Sequence, residues 1–195
     1  MKSICDSNAE VVSMILEEEG YQGMLEKATQ LGYQYELSYF GCSQAVVAAL
    51  IEAFGIGGPD ILRASTILSG GIARSGKGTC GALTGGLLMI GLLIGRDDLE
   101  MREQYLRAHD IAYTLYKRFE KEVGSVVCEE NQKRLYGRTF DMTTEEGRED
   151  FIAAGAHSPE GCATITREGA RLAAETIIEI LKKGTPFARM LTIKK

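Results

Sequence analysis

Five cysteines stand at positions 5, 42, 80, 128 and 162 of a 195-residue chain, and four of them share a local setting. Cys42 follows Gly41, Cys80 is flanked by Gly78 and Gly81, Cys162 follows Gly161, and Cys128 lies just behind Gly124. Each of the four precedes or opens a segment of helical periodicity, so each is expected to lead a helix. Unpaired N–H groups and the positive dipole end at such positions favour a thiolate over a thiol. Several helix starts can converge on one point, and converging thiolates suit a soft metal or an iron–sulfur cluster, most simply [2Fe–2S]. The same residues are also suited to work in pairs as a dithiol/disulfide relay, for which four cysteines allow three pairings. Four thiolates hold a structural zinc equally well, and free cysteine also serves as a small buried hydrophobe. The separations of 38, 48 and 34 residues contain no C-x-x-C pair, so spacing does not choose among these uses. Cys5 stands apart near the N-terminus and is left out of the set.

The stretch leading to Cys80, GGIARSGKGTCGALTGG over residues 70–86, also resembles a phosphate loop. Gly71 to Lys77 satisfy the first seven positions of G-x-x-x-x-G-K-[ST], but the eighth is Gly78, and Thr79 arrives one residue late. The segment before it, residues 61–68, reads as helix where a phosphate loop needs a buried strand. The stretch is therefore expected to be a glycine collar presenting Cys80, with nucleotide binding by Gly71 to Thr79 as the lesser alternative.

The elements that must carry these cysteines read as helices almost throughout, since alternating β-branched runs are nearly absent. Residues 9–19 form a first expected helix, stopped at Gly20, and residues 23–31 a second, stopped at Gly32. A tyrosine-rich stretch, 33–40, precedes a strong amphipathic helix over 43–54 that ends in Gly55-Ile56-Gly57-Gly58-Pro59. Asp60 is expected to cap residues 61–68. An apolar helix over 82–94 follows, where the Gly81/Gly85 and Gly91/Gly95 pairs expose backbone to an approaching helix. Asp97 and Asp98 open a long polar helix over 99–123. Residues 126–136 close at Gly137, a further helix starts at Thr143 or Thr144, and a last one covers 163–183 before Gly184 and Pro186. Val126-Val127 and residues 191–193 are the only hints of strand. The expected fold is all-α, one helical domain over residues 1–195 with an irregular tail from about 184.

Composition narrows the function class. Twenty-two basic against 27 acidic residues give a net charge of −5, with no basic run beyond the terminal Lys194-Lys195, which argues against nucleic acid or an anionic membrane as partner. The apolar segment 82–94 is too short to cross a bilayer, and the N-terminus lacks the apolar core of a secretory signal. A cytoplasmic home is expected, where structural disulfides would not persist. The glycine-faced helix makes a homodimer plausible.

Of the remaining candidates, His109 reads as a surface residue and His157 as a loop residue within reach of Cys162. Arg74 and Lys77 are either solvated loop charges or neighbours that lower the pKa of Cys80. Tyr33, Tyr35 and Tyr39 are expected to pack in the core, and Glu17-Glu18-Glu19 to be a solvated helix end.

Taken together, Gly41-Cys42-Ser43-Gln44-Ala45-Val46, Gly78-Thr79-Cys80-Gly81-Ala82-Leu83-Thr84-Gly85, Cys128 with Arg134-Leu135-Tyr136-Gly137, and Gly161-Cys162 resemble the redox-active family named for its C_GCAxxG_C_C pattern. The resemblance covers about residues 28–181. It implies a helical domain of anaerobic bacteria and archaea that acts in electron transfer or thiol redox chemistry with an unidentified redox protein partner. A similar cysteine-bearing domain is associated with an iron–sulfur centre in the split-Soret type of cytochrome. On this reading Cys42, Cys80, Cys128 and Cys162 are cluster ligands or redox thiols, and Gly78, Gly81 and Gly85 lie beside the cofactor. The chain has no C-x-x-C-H for an attached haem. It departs from the family in a longer N-terminal lead and in Ser43, where alanine is common. Whether it transforms a substrate is left open.

Overall fold

A computed structural model describes residues 18–183. Within them the chain is an all-α, single-domain bundle of eight helices without a strand. These are α1 (Glu18–Tyr39), α2 (Cys42–Phe54), α3 (Pro59–Ala64), α4 (Gly81–Ile94), α5 (Arg102–Val123), α6 (Cys128–Tyr136), α7 (Glu145–Ala153) and α8 (Cys162–Lys182). A 3-10 turn, Ser65–Leu68, continues α3. None of these helices is long and apolar enough to cross a membrane.

Helices α1, α2, α4 and α8 pack on one another, and α5 lies against α4 and α8. The core they enclose includes Leu50, Leu83, Met89, Leu115, Phe119, Leu172 and Ile177, all buried. Helix α4 carries Gly81, Gly85, Gly86 and Gly91, each costing roughly 1 kcal/mol against alanine inside a helix. Three of them allow close approach. A Cβ at Gly85 would lie 2.6 Å from the Ser43 carbonyl oxygen on α2, and one at Gly86 2.9 Å from Ala173 Cβ on α8. Burying Leu83, Met89 and Ile90 returns about 1.5–3 kcal/mol each, so packing outweighs the poor propensity. Gly81 and Gly85 face α2 and Gly86 faces α8, whereas Gly91 meets nothing of this chain within 4 Å.

Several expected boundaries are corrected. Helix α1 passes through Gly20 and Gly32 without stopping. At Gly32 a Cβ would come 2.6 Å from Ala170 Cβ, so this glycine seats α1 on α8. The expected helix over 9–19 falls outside the described residues apart from its last two. Asp60 lies inside the first turn of α3, paired with Arg63, while Gly58 is the cap. Helix α5 begins at Arg102, three residues late, because Asp98 Oδ1 accepts the Glu100 N–H and holds a turn. Thr144 does cap α7, accepting the Gly147 N–H at 3.0 Å. Val127 contributes one isolated antiparallel bridge to Thr79, and residues 184–195, with the strand hint at 191–193, are outside the described part.

A smaller apolar cluster, Cys128, Phe140, Met142, Phe151 and Ala156, sits beside the main core, with Tyr136 and Cys162 against it. The functional candidates lie along this second cluster.

Candidate functional site

All four expected cysteines are at helix starts. Cys42, Cys128 and Cys162 are the first residues of α2, α6 and α8, and Cys80 is the N-cap of α4. Each start is set by local chemistry. Phe40 and Gly41 both take left-handed backbone (φ 62° and 84°), reversing the chain between α1 and α2. Ser43, fully buried, bonds through its hydroxyl to the Ser65 carbonyl at 2.7 Å and to the Ser69 hydroxyl at 2.6 Å, which ties the Cys42 end of α2 to the 3-10 turn. A hydroxyl therefore has work at this position that an alanine could not do.

The loop after that turn joins Cys80 to Cys128. The Cys80 N–H donates to the Val126 carbonyl at 2.7 Å, the Cys128 N–H to Gly78 at 3.1 Å, and the Glu129 N–H to Gly76 at 2.9 Å. Lys77 pairs with Glu129 at 2.5 Å. Within the loop, Gly76 and Gly78 donate to Gly70 and Gly71. These amides and this lysine are thus engaged with protein, and a 3-10 turn stands where a strand would be required, so the stretch is not a phosphate loop.

A cavity of about 300 Å³ brings the four cysteines together, its wall including Cys42, Cys80, Cys128 and Cys162. All four are free thiols, and three of the sulfurs accept a hydrogen bond. Gly70 N–H donates to Cys42, Gln132 Nε2 to Cys128 at 3.6 Å, and the Tyr136 hydroxyl to Cys162 at 3.5 Å. Cys42 and Cys80 also bond to each other through their side chains.

The expectation of lowered thiol pKa values holds at one site only. The hydrogen bond from Cys80 brings Cys42 below the ordinary thiol value against the opposing effect of burial. Cys80 is raised, first by that same bond and then by burial. Burial pushes Cys128 up to about 12 and also raises Cys162. At Cys128 and Cys162 desolvation is the largest effect. Cys5 lies outside the described residues.

Gly78, Gly81 and Gly85 are not part of the cavity wall. A Cβ on Gly81 would collide with Cys42 Sγ, so this glycine makes room for that sulfur, and Gly85 does the same for the backbone of Ser43. At Gly78 a Cβ would meet the Gly71 carbonyl at 2.7 Å, which serves the loop. Tyr33, Tyr35 and Tyr39 do not pack in the core. Tyr33 bonds to the Pro159 carbonyl at 3.2 Å, Tyr35 to Glu52, and Tyr39 is exposed. His109 is exposed beside Tyr105.

His157 belongs to the site in a way its position near Cys162 did not indicate. Its Nδ1 lies 3.2 Å from Glu36 Oε1, and its ring stacks on Phe40 with centroids 3.9 Å apart. Glu36 is 1% exposed and lines the cavity. Burial raises its pKa despite the histidine beside it. The sequence did hold a signal for Glu36. It continues the spacing of Tyr21, Ala28 and Gly32, all buried on one face of α1, and a helix ended at Gly32 hides it. Gln132, Tyr136 and Arg148 are further cavity or sulfur contacts that only folding reveals.

Among the described residues no three of Cys, His, Asp or Glu stand close enough to hold one metal ion. The donor set nonetheless fits a larger thiolate-bound group, because four thiols from four helix starts border a space many times the roughly 30 Å³ share of one water molecule.

Comparison with curated proteins and with solved structures gives no match. A family model described as "Putative redox-active protein (C_GCAxxG_C_C)" matches residues 40–176, a span that holds all four cavity cysteines. The match covers more than half of the chain, which therefore belongs to this redox-active family.

Proposed function

We propose that Cys42, Cys80, Cys128 and Cys162 bind an iron–sulfur cluster and that the protein carries electrons to and from a redox partner. The observation that carries this reading is the placement of all four thiols on the wall of one cavity. When bound, such a group takes up and releases single electrons, and its potential responds to hydrogen bonds on the ligating sulfurs. Here those bonds come from the Gly70 amide, Gln132 and Tyr136. The apolar wall formed by Phe40, Met142, Phe151 and Ile165 limits the water that reaches the sulfurs. A single zinc ion fits less well, since three ligands do not gather around one point.

The test is iron and acid-labile sulfide per chain, with a visible spectrum, on protein purified without oxygen, beside Cys80→Ser. Iron and sulfide in equal amounts, lost in the variant, are expected. Their absence from the wild type overturns the cluster.

The bond between Cys42 and Cys80, with their opposed pKa shifts, favours a second reading. Two neighbouring thiols can close to a disulfide by exchange with a disulfide substrate. Oxidation by a disulfide substrate would join the two sulfurs. Two electrons and two protons would pass to the substrate, which leaves as two thiols. Mass spectrometry after mild oxidation would show a loss of two hydrogens mapped to peptides holding Cys42 and Cys80.

A further inference from the structure

Two arginines border the cysteine cavity without an acidic partner. Arg74 and Arg148 both line it, and neither forms an ion pair with a described residue. Arg148 Nη1 donates to the carbonyls of Met142 at 3.4 Å and Thr143 at 3.2 Å. That anchors the guanidinium and leaves its other nitrogens without a partner among the described residues.

Arg74 is presented by an unusual backbone. Gly70, Gly71, Ile72, Ala73 and Arg74 run consecutively at φ of 64°, 69°, 65°, 50° and 63°. Left-handed helical backbone costs an L-residue roughly 1–2 kcal/mol. Hydrogen bonds from Ala73 to Ile67, Arg74 to Ser69 and Gly76 to Gly70 hold the turn against that cost. The turn lays the Arg74 stem alongside Met142: a Cβ at Gly70 would be 3.3 Å from Arg74 Cγ and 3.4 Å from Met142 Cε. Arg74, Arg148 and Met142 all line the cavity.

Inside the cavity is a second unmet demand. Glu36 Oε1 is engaged by His157, but Oε2 is buried with no hydrogen-bond partner. Such an oxygen costs about 1–3 kcal/mol unless something in the cavity satisfies it.

We propose that the cavity admits a small carboxylate-bearing molecule, its carboxylate held at the mouth by Arg74 and Arg148 and its far end lying against Glu36 and Cys42. Guanidinium forks match a carboxylate in plane and in charge. A cavity of about 300 Å³ with a mainly apolar wall and a few converging polar groups has the make-up of a small-molecule site. Arg74, Arg148 and Glu36 are not among the residues that the cluster proposed above uses, so the two proposals fail separately.

The test compares iodoacetate with iodoacetamide on the full chain, reduced without oxygen after chelation of any iron. The reagents share size and leaving group and differ in charge. In both, a thiolate sulfur displaces iodide, and an S–C bond replaces the C–I bond. Cys42 is followed by peptide mass spectrometry, because it is half-buried and lines the cavity. Taking the ratio of the two rates cancels any change in thiolate fraction. The iodoacetate-to-iodoacetamide ratio is expected to fall at least about tenfold in Arg74→Gln/Arg148→Gln, the loss of a charge-assisted contact. A retained iodoacetamide rate would show the variant folded. An unchanged ratio overturns the proposal. Calorimetric titration of the chain as purified with malonate gives an independent measure. Binding to the wild type that disappears in the double variant supports the site, and no binding to the wild type counts against it.

Discussion

At the scale of single residues, the site is governed by competition between burial and hydrogen bonding. Cys42 and Cys80 share one bond, yet that bond lowers the first and raises the second, because one sulfur accepts where the other donates. Glu36 shows the same contest, with burial the larger effect and His157 the smaller. Its pKa is raised on folding, so the folded state is favoured most below the ordinary carboxylate value of about 4.3 and loses stability as pH rises through the folded value. Glu36→Gln removes that loss. The stability difference between variant and wild type, from urea unfolding between about pH 4 and about pH 8, is expected to move in the variant's favour as pH rises. A difference that stays flat across this range would show that Glu36 is not held in its neutral form. The cysteines themselves were legible as helix leaders because three of them stand beside a glycine and all four before a periodic run. Glu36 was obscured by Gly32, whose role is to let α1 touch α8.

At the scale of elements, the segment between the 3-10 turn and α4 does most to position the thiols. It carries Cys80, donates Gly70 N–H to Cys42, and bonds to the start of α6 beside Cys128. Its left-handed run includes three residues with side chains, and Ala73 is exposed. Ala73→Gly should therefore relieve strain without losing packing, raising stability by about 1 kcal/mol in chemical denaturation. If the variant is less stable, the turn is not strained at Ala73. Glycine spacing in the sequence suggested a loop, but not this hand. A left-handed turn through Ile72, Ala73 and Arg74 runs against local preference and exists because long-range bonds to Ile67, Ser69 and the start of α6 over-determine it.

At the scale of the whole molecule, a cavity stands beside a well-packed core. Helices α1, α2, α4 and α8 carry the buried apolar surface, while α6, α7 and the start of α8 build a smaller cluster with the thiols along its edge. A group bound by all four cysteines would cross-link four helix starts. Removing iron under anaerobic conditions is therefore expected to lower the thermal midpoint and to expose Cys128 and Cys162 to alkylation, since a ligand bound only to the native state adds to its stability. An unchanged midpoint after complete iron removal would mean that the thiols are not held by the metal.

The sequence by itself determined the all-α class, the four cysteines at helix starts and the family, because periodicity, glycine punctuation and residue order are local properties. Tertiary structure decided which sulfur is lowered, that Glu36, His157, Arg74 and Arg148 line one cavity, and which glycines touch what. Those outcomes depend on desolvation and on contacts between segments far apart in the chain, such as Glu36 with His157 and Gly81 with Cys42. No local pattern encodes them.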